Sequence, residues 1–267
     1  MKQIAFIGAG NMASAIIKGI LGRTDSPGYR IRAYDLLPEK AEAMRGLGVV
    51  PVKTVREAVS GADLLFLAVK PQNFEEALTE IKPHFSEKTV VVSIAAGITA
   101  GYIKKMLGAD CKVVLVMPNT PLLLGTGASA LAQIPPTNDA EFRDVCAIFE
   151  ASGEIAVVPE SKMKEIIAVN GSSPAFIYYF AKGFLGYAKT VGIDPGAALK
   201  LFCQTLKGSA EMMLHSGKSV DELIEMVSSK GGTTIAGLER LEEHGLLEAV
   251  KAACERCTER AYELSMD

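Results

Sequence analysis

The 267-residue sequence has no apolar run of the roughly 18 residues needed to cross a bilayer. Its longest candidate, residues 176–185, is broken by Lys182, so no membrane association is expected. One-sided charge is also missing. The 28 Lys and Arg residues stand against 31 Asp and Glu, for a formal net charge of -3. Both signs alternate along helix-like stretches, as on a solvated face, and no nucleic-acid footprint is expected. Cysteine is sparse and irregular. Cys111, Cys146, Cys203, Cys254 and Cys257 form an odd, scattered set, which argues against a secreted disulfide framework. Cys254 and Cys257 have the spacing of a metal or redox pair, but no second pair lies nearby, and they read as ordinary helix packing. His84, His215 and His244 are far apart and make no ligand motif, so no metal site is expected. The chain opens directly on a strand without a basic, then apolar, leader. The expectation is a soluble, cytoplasmic protein.

What is present is enough apolar material for a large core: 49% of the residues are hydrophobic and 22% charged. The first part alternates short apolar runs with helical segments. Strands are expected at 4–7, 31–34, 49–52, 64–69, 90–94 and 113–117, with outlying strands at 127–131 and 155–158. Helices are expected at 12–21 and at 38–47, the latter with Pro38 in its first turn. The unbroken apolar runs at 64–69 and 90–94 suit parallel strands covered on both faces. Such alternation implies right-handed βαβ units and a parallel sheet.

After Pro159 only helices are expected. One runs over 174–191 with Ser173 as N-cap, and one from Asp194-Pro195 to about 215. Ser219-x-x-Glu222 reads as a capping box opening a helix to about 227, and further helices cover 235–243 and 246–263. The fold class expected is α/β: a Rossmann-type doubly wound sheet over 1–159, followed by an all-α dimerisation domain over 160–267. The helix from Pro174 carries Phe176, Ile177, Tyr178, Tyr179, Phe180, Phe184, Leu185 and Tyr187 on most of its faces. A helix apolar nearly all round must be covered on all sides. Interleaving with a second subunit is predicted; the alternative is cover from the N-terminal domain of the same chain.

Two glycine-rich turns carry the chemistry. Ile7-Gly8-Ala9-Gly10-Asn11-Met12-Ala13 follows the first strand and opens the first helix, the G-x-G-x-x-A form of a dinucleotide fingerprint. Gly8 permits the tight turn, Gly10 lets a pyrophosphate approach the backbone, and Ala13 keeps helix and strand close. Tyr34-Asp35 ends the second strand, where an acid hydrogen-bonds the ribose 2′-OH of NAD; the alternative for Asp35 is a turn or helix cap before Pro38. Ala68-Val69-Lys70-Pro71, Ala95-Ala96-Gly97 and Asn119 follow later strands, at the carboxyl edge where ligands bind such sheets. The second turn is Ser228-Ser229-Lys230-Gly231-Gly232-Thr233-Thr234-Ile235. A glycine-rich turn feeding a helix start offers unpaired N–H groups and a positive dipole end to a small anion.

Taken in order, these segments with Met117-Pro118-Asn119-Thr120-Pro121 and Gly171-Ser172-Ser173-Pro174-Ala175 resemble the pyrroline-5-carboxylate reductase family over essentially the whole chain. The resemblance implies reduction of the cyclic imine 1-pyrroline-5-carboxylate to L-proline with NADPH or NADH. It also implies a homo-oligomer built from an interleaved dimer, in many members assembled into a decamer. On this reading the substrate carboxylate lies on the backbone N–H groups of Gly232, Thr233 and Thr234, Ser229 and Ser173 complete the pocket, and the Thr234 hydroxyl lies near the ring nitrogen. Three positions depart from the family pattern: Lys230 replaces a proline, Leu115 an arginine and Val55 an asparagine. The rival readings are a reductase of another small imine or hydroxy acid, for which Lys162 and Lys164 lie early in the helical domain but outside the glycine-rich helix start that hydroxy-acid dehydrogenases use for their catalytic lysine, and a non-catalytic dinucleotide-binding regulator.

Overall fold

The structure, a computed structural model, describes residues 1–22 and 28–265. Packing divides the chain into two compact units, Met1–Pro174 with Arg256–Asp267, and Ala175–Glu255. The division falls later than the change of composition at Pro159. The reason is that the stretch after Pro159 stays on the sheet: Met163 and Ile167 belong to the same buried cluster as Leu115 and Met117.

In the first unit one eight-stranded sheet is described, in the order β3-β2-β1-β4-β5-β6-β7-β8. Its strands are β1 (Lys2–Ile7), β2 (Tyr29–Tyr34), β3 (Val50–Pro51), β4 (Leu64–Leu67), β5 (Val90–Ser93), β6 (Lys112–Pro118), β7 (Gly127–Ile134) and β8 (Gly153–Val157). The connecting helices are α1 (Asn11–Gly22), α2 (Pro38–Ala43), α3 (Val55–Val59), α4 (Phe74–Ile81), α5 (Ala100–Leu107) and α6 (Asp139–Glu150). From β1 the chain winds outward through β2 to β3, and then from β4 through β5 to β6, with all these pairings parallel. The reversal between β1 and β4 is the topological switch point, and the crevice at the carboxyl ends there is where such sheets take ligands.

The outlying strand β7 departs from the parallel sheet expected before it and pairs antiparallel with β6. The link 119–126 is too short for a crossover, which takes a dozen or more residues, so the chain can only fold back. Through α6 it returns to make β8 parallel to β7. β4 and β5 are buried at every residue, as their unbroken apolar runs require. One face of the sheet packs Phe74, Leu78 and Ile81 of α4 with Ile103 of α5. The other packs Ile16, Ile17 and Ile20 of α1 with Val145 and Phe149 of α6. Phe6 and Phe66 stack across β1 and β4 with ring centroids 4.5 Å apart.

The remaining helices are α7 (Ser173–Thr190), α8 (Pro195–His215), α9 (Val220–Met226), α10 (Thr233–Glu243) and α11 (Leu246–Glu263). Ser173 is not the N-cap expected of it. A π-helical turn, Ile167–Gly171, runs up to α7, and Ser173 is already helical, its hydroxyl donating to the Asn170 carbonyl at 3.3 Å. The other caps follow the sequence. Asp194 accepts from the Ala197 N–H at the start of α8, and Ser219 with Glu222 forms a full capping box on α9. Within the second unit Phe184 of α7 stacks on Phe202 of α8 at 4.6 Å. Much of α7 stays open, with Tyr179 75% and Tyr187 67% exposed. An apolar cleft of about 680 Å³ lies among Phe176, Tyr179, Phe184, Leu241 and Val250. Among the described residues no helix is long and apolar enough to cross a membrane.

Candidate functional site

The glycine-rich turn after β1 is shaped by a close backbone approach. Gly8 has φ +98°, and a Cβ there would lie 2.6 Å from the Ala68 carbonyl oxygen, so no other residue fits. Its N–H donates to the Tyr34 carbonyl at 2.8 Å, and the Ala68 N–H donates to the Ile7 carbonyl at 2.8 Å. The ends of β1, β2 and β4 are thereby drawn together around the turn. Gly10 differs: a Cβ on it would meet nothing within 4 Å. That open space at the N-terminus of α1 suits a pyrophosphate, which the unpaired N–H groups and helix dipole attract. Asn11 and Met12 open the helix, and Ala13 is buried against the sheet.

A cleft of about 380 Å³ lies beside the turn, and its walls include Ile7, Gly8, Gly10, Tyr34, Asp35, Ala68, Val69 and Lys70. These expected residues come together, with Pro71 opening the 3₁₀ turn that follows Lys70. Asp35 takes the turn role expected of it before Pro38 and also reaches back to the glycine-rich turn. One carboxylate oxygen accepts from the Ala9 N–H at 2.7 Å, bracing the glycine-rich turn. The other accepts from the Leu37 N–H at 2.9 Å, shaping the turn before α2. Each oxygen keeps a further lone pair for a ribose hydroxyl. Lys40 of α2 also lines the cleft, and sequence reasoning missed the far wall formed by Glu76, Ala77 and Glu80 of α4. The core spacing of Phe74, Leu78 and Ile81 was the available signal, since it leaves Glu76 and Glu80 together on another face. The Tyr34 phenol is raised above its ordinary pKa by burial first and then by Glu80, Asp35 and Glu76. Val55 also lines this cleft.

At the carboxyl ends of β5 and β6 the pieces are smaller. Ala95 and Gly97 border a cavity of about 40 Å³ together with Ser93, Met117 and Met163, while Ala96 is exposed. Gly97 has φ +80°, and a Cβ on it would come within 3.3 Å of the Leu264 carbonyl; its backbone is covered by the end of α11. Asn119 is 9% exposed and has protein partners on both ends of its amide. Its Oδ1 accepts from the Ala128 N–H at 2.9 Å and its Nδ2 donates to Asn170 Oδ1 at 3.2 Å. Leu115 is buried in the core below. Of the two lysines of the hydroxy-acid reading, Lys164 borders this small cavity, and both are engaged by neighbouring side chains. Lys162 lies 3.7 Å from Glu165, and Lys164 lies over the Tyr262 ring at 4.6 Å.

In the second unit the tract 228–235 makes a turn into α10. Gly232 is the N-cap of α10, and no side chain caps it. The Gly232 N–H donates to the Ser229 carbonyl at 2.9 Å, so the expectation that this N–H faces a ligand is corrected. The first-turn N–H groups of Thr233, Thr234 and Ile235 have no intrahelical acceptor, as at the start of any helix. Thr234 is half-buried, while Thr233, Ser229 and Lys230 are exposed.

Comparison with known proteins gives a consistent result. A family model for the pyrroline-5-carboxylate reductase dimerisation region matches residues 160–264. A model described as NADP oxidoreductase, coenzyme F420-dependent, matches residues 3–97. Pyrroline-5-carboxylate reductase of Escherichia coli is 35% identical over 265 residues, covering 99% of this chain and 98% of the relative. The crystal structure of Plasmodium falciparum pyrroline carboxylate reductase with NADP bound is similar at TM-score 0.90 and 28% identity, covering 100% of this chain and 98% of that one. The Coxiella burnetii pyrroline-5-carboxylate reductase has TM-score 0.90 and 33% identity, covering 99% and 98%. With a dinucleotide turn at one end, an uncapped helix start at the other and full-length relatives between, this chain belongs to the pyrroline-5-carboxylate reductase family.

Proposed function

We propose that the protein reduces 1-pyrroline-5-carboxylate to L-proline, the last step of proline synthesis, with NADPH or NADH as donor. The observation that carries the reading is the uncapped start of α10 in a chain that also holds the Gly8–Gly10 turn. The first offers a seat for a small carboxylate and the second a seat for a dinucleotide. The bound dinucleotide supplies the hydride that saturates the C=N bond.

The chain's own residues do the rest. Gly8, Ala9 and Gly10, with Asn11 and Met12 at the start of α1, receive the pyrophosphate. Asp35, Tyr34, Ala68, Val69, Lys70 and Pro71 hold the adenosine half. Ala95, Ala96 and Gly97 form the small-residue floor toward the reacting end. Asn119 acts there through the backbone it holds, since its amide is tied to Ala128 and Asn170. Thr233 and Thr234 N–H groups seat the substrate carboxylate, with Ser229 beside it. The Thr234 hydroxyl hydrogen-bonds the ring nitrogen. A hydroxyl is a poor acid by itself, so the proton reaches the nitrogen through water or from solvent. Most of the acceleration is then positioning, an effect that can reach roughly 7–11 kcal/mol when two reactants are held face to face.

Residues 1–159 serve the dinucleotide, and 160–267 the substrate and the dimer contact. The open aromatic face of α7 is covered by a second subunit in an interleaved dimer, with decamers as the higher assembly, and the enzyme works in the cytoplasm. The test is a steady-state assay with the imine and with NADH and NADPH in parallel. Cofactor oxidation matched by proline formation supports the reading. Dinucleotide binding without imine-dependent oxidation refutes it in favour of a regulator, and turnover only with another imine or hydroxy acid refutes the substrate.

A further inference from the structure

The π-helical turn Ile167–Gly171 places one buried amide where neither glycine-rich motif reaches. Asn170 is 8% exposed. Its Nδ2 donates to the Met117 carbonyl at 2.6 Å, and its Oδ1 accepts from Asn119 Nδ2 at 3.2 Å. Asn119 in turn accepts from the Ala128 N–H at 2.9 Å. The Asn170 carbonyl accepts from the Ser173 hydroxyl at 3.3 Å. A single residue therefore joins three things: the carboxyl end of β6, the Asn119 corner leading into β7, and the start of α7 with Ser172 and Ser173. The contact is tight, since a Cβ on neighbouring Gly171 would come within 3.1 Å of Met117 Sδ. A π turn inside a helical segment is a local departure that recurs at functional sites. Here it turns the Asn170 side chain inward against β6.

We infer that Asn170 is a positioning residue for the reduction, fixing the Gly171-Ser172-Ser173 helix start against the carboxyl end of β6. The inference rests on the reductase reading above. Asn170 touches neither reactant. It acts through Asn119 and through Ser173, and so on the geometry of the reacting end rather than on the adenosine half of the dinucleotide, which binds at the β1–β2–β4 edge. A displacement of about 1 Å at a reacting centre can cost on the order of a hundredfold in rate. The expected signature is thus a loss in kcat with little change in the KM for cofactor.

The test uses Asn170→Asp in the full-length enzyme, a change that conserves shape. The new carboxyl still accepts from Asn119. Ionised, it cannot donate to the Met117 carbonyl; protonated, it can. We expect kcat to fall about 10- to 100-fold at pH 8, with the KM for cofactor within threefold. We also expect the ratio of variant to wild-type kcat to rise as pH falls toward 5.5. The melting midpoint of the variant is followed over the same pH range, and kcat is compared only where both enzymes are fully folded, so that a loss of folded protein is separated from a loss of positioning. Should Asn170→Asp not fold, Asn170→Ser is measured at a temperature where it is fully folded, with the same fall in kcat expected. Variant kcat within twofold of wild type, or a pH-independent ratio for Asn170→Asp, overturns the positioning role while leaving the reductase reading intact. A wild-type enzyme without imine turnover overturns both.

Discussion

Gly8 and Gly10 sit two residues apart in one turn, yet the structure requires opposite results from the same substitution. At Gly8 an alanine Cβ would stand 2.6 Å from the Ala68 carbonyl oxygen and would have to adopt φ near +98°. The backbone conformation alone costs roughly 1–2 kcal/mol for an L-residue, and forcing an extra carbon into a packed site costs roughly 1–3 kcal/mol more. Gly8→Ala is therefore expected to lose about 2–5 kcal/mol in the protein without ligand. In a domain of this size that corresponds to a fall of roughly 5–15 °C in melting midpoint. At Gly10 nothing lies within 4 Å of the added carbon, so Gly10→Ala should melt within about 2 °C of wild type. The Cβ would instead stand where the pyrophosphate approaches, and the dinucleotide Kd should rise at least tenfold, or about 1.4 kcal/mol. The assays are differential scanning fluorimetry without ligand and a fluorescence titration with NADH and NADPH. Wild-type affinity in Gly10→Ala would refute the placement of the pyrophosphate. An unchanged melting midpoint in Gly8→Ala would refute the backbone contact between the turn and β4.

Thr234→Ala should lower kcat/KM for the imine by tenfold or more while the melting curve is unchanged; unaltered kinetics remove its hydroxyl from the site. Asp35→Ser removes the carboxylate that accepts from Ala9 and Leu37 and should lower stability by about 1–3 kcal/mol, since hydrogen bonds to charged groups are worth roughly that much. In the same variant the ratio of kcat/KM for NADPH to that for NADH should rise, and a constant ratio would show that Asp35 only braces the turn. The carboxyl of Glu263 is held down to about 2 by hydrogen bonds from Arg256 and Arg260. A depressed folded pKa adds stability that is complete above the ordinary value of 4.5 and is lost as pH falls toward 2. Amide protection at the end of α11, relative to the intrinsic exchange rate at each pH, should therefore fall over that window, and Arg256→Gln should bring the Glu263 titration, followed by carboxyl NMR, back toward its ordinary value.

Much of this molecule is legible in its residues because the signals are local. The apolar runs of β4 and β5 are short and unbroken, which suits only strands covered on both faces. Ser219 and Glu222 make their capping box with neighbours in sequence. Gly8 and Gly10 follow a strand and open a helix, so their backbone role can be read from position. Whole-chain family resemblance is legible in the same way, because its motifs are contiguous strings. The antiparallel turn of β7 was less so. Its direction depends on the length of the link after Pro118, and the sequence pattern marked it only as an outlying strand.

What required the tertiary structure is what joins distant segments. Nothing near Asp35 in sequence says that its carboxylate reaches Ala9. Only the parallel register of β1 and β2 puts the two side by side. Nothing in the Met-Pro-Asn string says that the Asn119 amide is already engaged, because its partners Ala128 and Asn170 come from another strand and a π turn. The Gly232 N–H looked free beside the other first-turn donors until the turn folded it onto Ser229. The sequence by itself determined the two-part architecture, the family and the two glycine-rich turns proposed to seat a dinucleotide and a small carboxylate, since periodicity and backbone conformation are properties of neighbouring residues. The fold alone decided which polar groups remain free to meet those ligands, since a hydrogen bond takes whichever partner tertiary packing brings within about 3 Å.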